Sequence, residues 1–188
     1  MSQGSKKYPY REAIVVANEL VELLTPYCEW IIIAGSLRRL KPGVGDVEIL
    51  YIPKIKVVPA DMFSTTNVDL AAKHLDVLIE KNILQKWKNR KGFICWGTKN
   101  KFAIHVATGI PVNLFATTAS NMWVALAIRT GSKNMVLDLT TGANRLNRTL
   151  HAYGEGITDR ATGETIRANS EQHVFELCGV TCREPELR

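Results

Sequence analysis

The chain has 188 residues, of which 46% are hydrophobic and 22% charged, values typical of a globular protein with a sizeable core. Long uncharged apolar runs are absent and the N-terminus MSQGSKKYPYREA is polar, which excludes a membrane span and a secretory signal. We therefore expect a cytoplasmic protein, with the nucleoid or a virion as alternative locations. The net charge of +6 is compatible with a nucleic-acid partner, although a solvated basic face has the same composition.

The first half of the chain predicts a helix followed by two strands. In YREAIVVANELVELLTPY the apolar residues recur at helical spacing, and Pro26 ends the helix. The β-branched run WIIIAG predicts a strand ending at Gly35, and GDVEILYIP predicts a second strand. The stretch KIKVVPADMFSTTN is interpreted as a loop, after which Asn67 would cap a helix ending near Glu80.

From Ile83 to Leu114 the pattern predicts four further strands, in ILQKWKN, GFICWGT, KFAIHVA and IPVNLFAT. The economical assembly is a mixed sheet of about five strands with helices packed on it, an α+β fold. Ser120 is predicted to cap a helix that ends near Ile128, before RTGS.

The C-terminal part predicts a hairpin and a short helix. GITDRATGETIRA would turn around Thr162-Gly163, and Ser170 would cap a helix ending near Gly179. A composition boundary near residue 130 predicts a domain of residues 1–130 and a smaller lobe of residues 131–188. The four cysteines lack the paired spacing of a zinc site, so buried reduced thiols are expected: Cys28, Cys95, Cys178 and Cys182.

Two acidic residues open the strand in AGSLRRLKPGVGDVEILYIP. Side chains two residues apart in a strand share a face, so Asp46 and Glu48 would present adjacent carboxylates. Their repulsion is relieved most naturally by magnesium, and the pair could hold two metal ions for phosphoryl transfer. The alternative is an ordinary solvated strand edge.

The other end of that stretch has the features of an anion site. Gly35-Ser36 turns the chain out of the preceding strand, so backbone N–H groups and the serine hydroxyl can face a phosphate. Arg38 and Arg39 add positive charge, and at least one could bind phosphate oxygens with two parallel bonds. The alternative is that these are turn residues only.

Four motifs in order resemble the family X DNA polymerases, within the nucleotidyltransferase superfamily. They are GSLRR followed by GDVE, then WGTKNKF, RTGS and the ending SEQHVFELCGVTCREPELR. The resemblance spans Tyr8 to Arg188 and implies a nucleotidyltransferase palm with a small thumb-like C-terminal lobe. Since only about ten residues precede the first helix, a minimal palm-and-thumb form without an N-terminal lyase domain is expected.

The resemblance assigns roles to individual positions. Ser36 and Arg39 would hold the nucleotide's phosphates, and Thr130-Gly131-Ser132 would lie against its sugar and base. The full set of implied nucleotide-binding residues is Gly35, Ser36, Arg39, Gly45, Thr130, Gly131 and Ser132. The implied metal-binding and catalytic positions are Asp46, Glu48 and Asn113. The cofactor would be two Mg²⁺ ions, with Mn²⁺ as an alternative.

DNA contacts are expected from basic residues and from the thumb. The resemblance implies that Asn147 lines the minor-groove side of the nascent pair, and the preceding KNMVLDLTTGAN resembles an insertion. The basic candidates are Lys86, Lys88, Arg90, Lys91, Lys99 and Lys101.

Three positions depart from the family pattern. Asn113 stands where the family has a third aspartate, which would bind the catalytic metal and take the proton from the primer 3′-hydroxyl; a neutral amide cannot act as that base. We interpret Asn113 as an engineered substitution, with a natural departure as the alternative, and expect this chain to be slow or inactive. Glu48 replaces the commoner aspartate, and Ile128-Arg129 replaces an aromatic pair, which puts sugar discrimination in doubt.

The leading hypothesis is a monomeric DNA-directed DNA polymerase that adds deoxynucleotides to a primer 3′ end, with gapped primer–template DNA and a deoxynucleoside triphosphate as partners. The alternatives are nucleotidyl transfer to a non-DNA acceptor and a catalytically decayed nucleic-acid-binding protein. Restoring aspartate at position 113 separates the first hypothesis from the last.

Overall fold

The structure is a computed structural model that describes residues 6–60, 64–88, 92–151, 154 and 156–188. Over these residues the α-helices are α1 (Tyr10–Leu24), α2 (Gly35–Arg38), α3 (Leu70–Glu80), α4 (Met122–Thr130), α5 (Lys133–Arg145) and α6 (Glu171–Leu177). The strands are β1 (Tyr8–Pro9), β2 (Cys28–Ile33), β3 (Gly43–Val44), β4 (Val47–Pro53), β5 (Ile55–Pro59), β6 (Thr65–Asp69), β7 (Leu84–Lys86), β8 (Asn100–His105), β9 (Pro111–Ala116), β10 (Arg148–Leu150), β11 (Ile157–Asp159) and β12 (Thr165–Ile166). None of the helices in the described ranges has both the length and the apolar character that crossing a bilayer requires.

The chain divides into two compact units. The first consists of residues 1–33 and 42–116, and the second of residues 34–41 and 117–188. The short segment 34–41, which carries α2, therefore packs with the C-terminal part of the chain although it lies between strands of the first unit. The expected boundary after residue 130 falls between α4 and α5 and stays a prediction.

A five-stranded mixed sheet organises the first unit. Its strand order is β2-β4-β9-β8-β7; β4 and β9 run parallel, and the other neighbours are antiparallel. On β4, Val47 and Ile49 are fully buried, so this face of the strand forms part of the core. The predicted α+β fold with a mixed sheet of about five strands is confirmed.

The register of this sheet aligns one row of side chains across neighbouring strands. Glu48 on β4 pairs with Asn113 on β9, and Asn113 pairs with Phe102 on β8. Paired residues in a sheet point to the same face. The row from Glu48 to Phe102 thus lies on the sheet face opposite to Val47 and Ile49.

The predicted loop after β4 is wrong. Residues 55–59 and 65–69 form a two-stranded antiparallel hairpin, with Ile55 paired to Asp69. Both strands are mostly exposed, so they lack the alternation of apolar and polar residues that marks a half-buried strand. The helix cap is also different: Asp69, not Asn67, accepts a hydrogen bond from the Ala72 N–H at 2.7 Å.

The strand predicted in GFICWGT is absent from the described part of that segment. Residues 92–98 make only isolated bridges, between Lys88 and Ile94 and between Trp96 and Lys101. Gly92 has a φ of 79°, which extended backbone does not allow. β7 is correspondingly short and ends at Lys86.

The described part of the second unit contains four helices, α2, α4, α5 and α6, and a small sheet with strand order β10-β11-β12. KNMVLDLTTGAN is part of helix α5, capped by Ser132, whose Oγ accepts from the Met135 N–H at 3.2 Å. Asn121, not Ser120, occupies the N-cap of α4, and the Ser120 hydroxyl lies 3.0 Å from that of Thr118. The buried core of this unit is formed by Val124, Ala127, Met135, Leu139, Ala143, Ile157, Val174, Phe175 and Cys178.

The predictions for the C-terminal hairpin and helix are confirmed. Gly163, with a φ of 73°, lies in the turn between β11 and β12. Ser170 caps α6 through a 3.0 Å hydrogen bond from the His173 N–H. Gly179 follows the helix with a φ of 63°, the conformation common after a helix end.

Candidate active site

The parallel strands β4 and β9 bring two of the predicted site residues into direct contact in the first unit. Asp46 immediately precedes β4, and Asn113 lies in β9. Asn113 Nδ2 donates a hydrogen bond of 2.7 Å to Asp46 Oδ2. Asn113 Oδ1 is buried and accepts no hydrogen bond from the described residues. An acceptor oxygen without a donor therefore lies on the side chain that touches the Asp46 carboxylate.

The electrostatic surroundings of Asp46 oppose its ionisation. Burial raises the pKa of Asp46, while the Lys7 ammonium and the Asn113 hydrogen bond lower it only in part. Lys7 is also close to the residue before Asp46, since a Cβ atom at Gly45 would lie 3.9 Å from Lys7 Nζ. The pairing of β1 with β3 holds the N-terminal segment here, with Tyr8 opposite Val44.

Glu48 completes this group through the sheet register. It lies opposite Asn113 and is half-buried, on the same face of the sheet. The described residues contain no group of three or more His, Cys, Asp or Glu side chains placed to hold a metal ion. Asp46 and Asn113 are in contact, and Glu48 is in register with Asn113, so two carboxylates and one amide belong to this part of the sheet.

This donor set fits a hard divalent cation. The Asp46 carboxylate, the Glu48 carboxylate and the orphaned Asn113 Oδ1 are all oxygen donors, which Mg²⁺ and Mn²⁺ prefer. A bound cation would relieve the burial cost of the Asp46 charge and would satisfy Asn113 Oδ1. An amide oxygen contributes no charge, so two carboxylates alone would have to neutralise the metal.

The Gly-Ser turn belongs to the second unit. Gly35 has a φ of 64°, a left-handed conformation that glycine adopts without strain, and it opens the single helical turn of α2. Ser36 follows as a half-buried residue. The predicted sharp turn is confirmed, and the phosphate-binding role of Gly35 and Ser36 stays a prediction.

Arg38 binds protein groups in this structure. Its guanidinium donates to both oxygens of Glu171, at 2.8 and 2.7 Å, and to Thr130 Oγ1 at 2.6 Å. Arg188 donates to the same Glu171 carboxylate at 2.6 Å and lies over the Phe175 ring at 4.7 Å. The Arg38–Glu171–Arg188 triad links α2, α6 and the C-terminal residue. The two-bond contact expected with a phosphate is made instead with a carboxylate.

Arg39 is anchored on the turn between α4 and α5. Its Nη1 donates to the carbonyl oxygens of Thr130 and Gly131, the second at 2.9 Å. Thr130 is fully buried, and the Ser132 hydroxyl caps α5. These side chains therefore have structural roles, and their contacts with a nucleotide stay a prediction.

The predicted DNA-binding residues have different environments. Lys99 is exposed, whereas Lys101 is buried and donates to the Gly97 carbonyl at 2.7 Å. Burial lowers the pKa of Lys101. Asn147 is exposed, but it lies in the turn after α5 with a φ of 55°, not in a helix. Lys86 and Lys88 lie at the end of β7, while Arg90 and Lys91 are outside the described residues.

Three side chains that lie near Asp46 or in the Arg38–Glu171–Arg188 triad are not identified as functional candidates by the sequence. Lys7 lies near Asp46 only because β1 pairs with β3, a contact without a local sequence signal. Glu171 and Arg188 belong to quoted motifs, but their shared partner Arg38 is more than 130 residues distant from either. Charge pairing over such a separation has no periodicity to reveal it.

Comparisons with known proteins agree with this architecture. A sequence-family model of the DNA polymerase beta thumb matches residues 125–188. A solved structure of Leishmania infantum polymerase beta in a ternary P/T complex has a TM-score of 0.72 to this chain at 20% sequence identity. The match covers 97% of this chain and 77% of that chain. No curated protein sequence matches the chain significantly. The predicted resemblance to the family X polymerases is confirmed at the level of the fold: the chain has a polymerase beta-like fold, and residues 125–188 match the thumb model.

Proposed function

We propose that the chain is a DNA-directed DNA polymerase of the family X type that adds deoxynucleotides to a primer 3′ end, most directly in short gaps. The observation that carries the proposal is the convergence of Asp46 and Asn113 in hydrogen-bond contact, with Glu48 in register beside them. The polymerase beta-like fold and the matched thumb support the same assignment.

The first unit would supply the metal-binding side chains. Asp46, Glu48 and Asn113 Oδ1 would hold divalent cations, which when bound supply charge neutralisation and Lewis acidity for phosphoryl transfer. Lys7 would add positive charge near Gly45, which has no side chain of its own to keep an anion from the backbone. The Asp46 carboxylate would keep its charge through these cationic neighbours.

The second unit would supply phosphate contacts. The left-handed Gly35 turns the backbone so that the following N–H groups and the Ser36 hydroxyl can donate to an anion. The Arg38–Glu171–Arg188 triad and the Arg39 contacts would hold this turn in one conformation. We therefore assign these arginines a positioning role for Ser36, in addition to any contact that Arg39 makes with a phosphate.

DNA and a deoxynucleoside triphosphate are the proposed partners. The Leishmania neighbour was solved as a ternary P/T complex, and the net charge of +6 gives this chain an attraction for phosphate backbones. Exposed Lys99 would contact DNA directly. Lys101 lies in β8 and would contribute through the conformation of the preceding loop, since its ammonium donates a hydrogen bond to the Gly97 carbonyl. The proposed active form is a monomer.

Asn113 limits the proposed reaction. An amide cannot accept the proton of the primer hydroxyl, and its Nδ2 donates to the carboxylate that would bind the metal. The chain with Asn113 should therefore be slow. Aspartate at this position would restore both a third negative charge and an acceptor for the proton.

The test is primer extension on a gapped duplex with Mg²⁺ or Mn²⁺, comparing the chain as it stands with Asn113→Asp. We expect a rate increase of about 10²–10⁴-fold, the usual contribution of a positioned general base. The matched control is Asn134→Asp, the same change on an exposed residue of α5, which should leave the rate unaltered. Asp46→Asn introduced into the Asn113→Asp protein should abolish the gain.

If the Asn113→Asp protein extends no primer with Mg²⁺ and none with Mn²⁺, the proposed polymerase activity is refuted. If that protein still binds gapped DNA and nucleotide, the catalytically decayed binding protein is the better hypothesis. If it transfers nucleotide to RNA or a small acceptor while ignoring DNA, the chain is a nucleotidyltransferase of another specificity. The contact between Asn113 and Asp46 favours the decayed protein as the second candidate.

A further inference from the structure

An exposed indole lies at the open edge of the central sheet. Trp87 directly follows β7 and is 41% exposed, a large value for a side chain that is usually well covered. Its backbone N–H donates to the Phe102 carbonyl at 3.0 Å, which fixes its position relative to β8. The two adjacent residues are lysines, and we name Lys86, Trp87 and Lys88 the Trp87 surface.

The Trp87 indole packs against Phe102, which in turn packs against Phe115. The Trp87 and Phe102 ring centroids are 6.4 Å apart, and Phe102 meets the buried Phe115 edge to face at 6.2 Å. These distances are within the range of favourable aromatic pairs. Trp87 is thus connected to the core through Phe102, while a large part of its side chain remains exposed to solvent.

Trp87 continues the row of side chains that contains the proposed metal ligands. Glu48, Asn113 and Phe102 are paired in register, and Trp87 lies next to Phe102. Neighbouring strands are separated by ~4.8 Å, so three such steps place Trp87 about 14 Å from Glu48 on the same face. Stacked nucleotides rise ~3.4 Å each, so this span corresponds to about four nucleotides.

The charges around the indole suit a polyanion. Lys88 is exposed beside it. Lys86 Nζ lies 3.7 Å from Asp76 Oδ1 and 4.9 Å from the Trp96 ring centroid, so part of its charge is offset. Lys86 pairs with Ala103 and so belongs to the other face of the strand, which leaves Lys88 as the basic residue next to the indole. An exposed aromatic ring close to a basic residue is an arrangement on which single-stranded nucleic acids stack their bases.

We propose that the Trp87 surface binds an unpaired nucleobase of single-stranded DNA, with Trp87 stacked on the base and Lys88 beside the backbone. The inference extends the proposed function, since it places a single-stranded part of the DNA substrate about four nucleotides from the reacting centre. Stacking does not depend on the base, so the contact would be tolerant of sequence.

The test measures the affinity of the full chain for a fluorescein-labelled oligothymidine of about 12 nucleotides by fluorescence anisotropy. Trp87→Ala should raise the Kd about 5- to 150-fold, which corresponds to the ~1–3 kcal/mol of one base–aromatic stack. Trp87→Phe keeps a ring and should retain most of the affinity. Val57→Ala, which trims another exposed apolar residue, should leave the Kd unchanged. An abasic oligonucleotide of equal length should bind the native chain and Trp87→Ala equally.

Equal affinities of the native chain and Trp87→Ala for the oligothymidine would overturn the inference. It would also be overturned if Trp87→Ala converts a self-associated protein to a monomer with unchanged DNA affinity, because the surface would then join two copies of the chain. Circular dichroism of each variant checks folding, and Trp87→Phe supplies the comparison if the alanine variant misfolds. The binding assay does not depend on turnover: an inactive Asn113→Asp protein refutes the polymerase and leaves this inference standing.

Discussion

Replacement of Glu171 by glutamine should destabilise the second unit strongly. The Glu171 carboxylate accepts hydrogen bonds from Arg38 and Arg188, whose side chains are 21% and 2% exposed. Removal of its charge leaves two guanidinium groups close together in a largely dry environment. Breaking a buried ion pair from one side costs about 3–5 kcal/mol, and we expect a loss of that size in the free energy of unfolding.

The same triad predicts a pH dependence. Burial tends to raise the pKa of Glu171, but the hydrogen bonds and charges of Arg38 and Arg188 outweigh it and hold the pKa below its ordinary value of 4.5. Because the folded pKa is the lower one, the stabilisation is complete above the ordinary value and is lost as the pH falls through the lowered value. The native chain and Glu171→Gln should therefore differ most near neutral pH and converge in acid.

Urea unfolding followed by circular dichroism, repeated from neutral to acidic pH, measures both effects. The matched control is Glu164→Gln, the same substitution on an exposed residue beside β12, which should change stability by less than about 0.5 kcal/mol. Because α2 carries Ser36, Glu171→Gln should also raise the KM for nucleotide in the Asn113→Asp background. Equal stabilities of Glu171→Gln and the native chain at neutral pH would refute the reasoning.

Two further predictions concern packing and thiol chemistry. A Cβ atom on Gly142 would overlap the Cys178 carbonyl oxygen and lie 2.9 Å from Val180 Cγ2. Gly142→Ala should therefore lower the free energy of unfolding, measured in urea, by about 1–3 kcal/mol. Gly97→Ala is the control and should lower it less, because the nearest atom to its new Cβ would be 3.8 Å away. Burial raises the pKa of Cys28 and of Cys178 to about 11, so a thiolate-specific reagent at pH 8 should label these residues only after unfolding. Rapid labelling of either residue in the native protein would contradict the described burial.

Three strands of the central sheet are predictable from the sequence because they are mainly apolar. β2 and β4 are also rich in β-branched residues, β4 and β9 are largely buried, and short apolar runs between charged turns are typical of strands. The hairpin of β5 and β6 is not predicted from the sequence, because both strands are largely exposed and have no buried face. The choice of Asp69 over Asn67 as helix cap is decided by one hydrogen bond between residues of similar capping preference.

The candidate site is also predictable from the sequence only in part. The two-residue spacing of Asp46 and Glu48 is a local property of a strand, and the motif resemblance indicates Asn113. The contact between Asp46 and Asn113 requires the parallel pairing of β4 with β9, which a single sequence does not specify. The role of Arg38 is not predictable from its neighbours, because its partner Glu171 is 133 residues away.

The second unit is discontinuous in sequence, and this affects any attempt to study it by itself. A fragment cut at residue 117 would contain Glu171 and the buried Thr130 but would lack residues 34–41, and with them the guanidinium groups that bind both. The isolated fragment should therefore be less stable around Glu171 and Thr130, because it lacks the arginines that bind them. Fusing that octapeptide through a designed linker, as in a circular permutant, would be required to recover an autonomous folding unit.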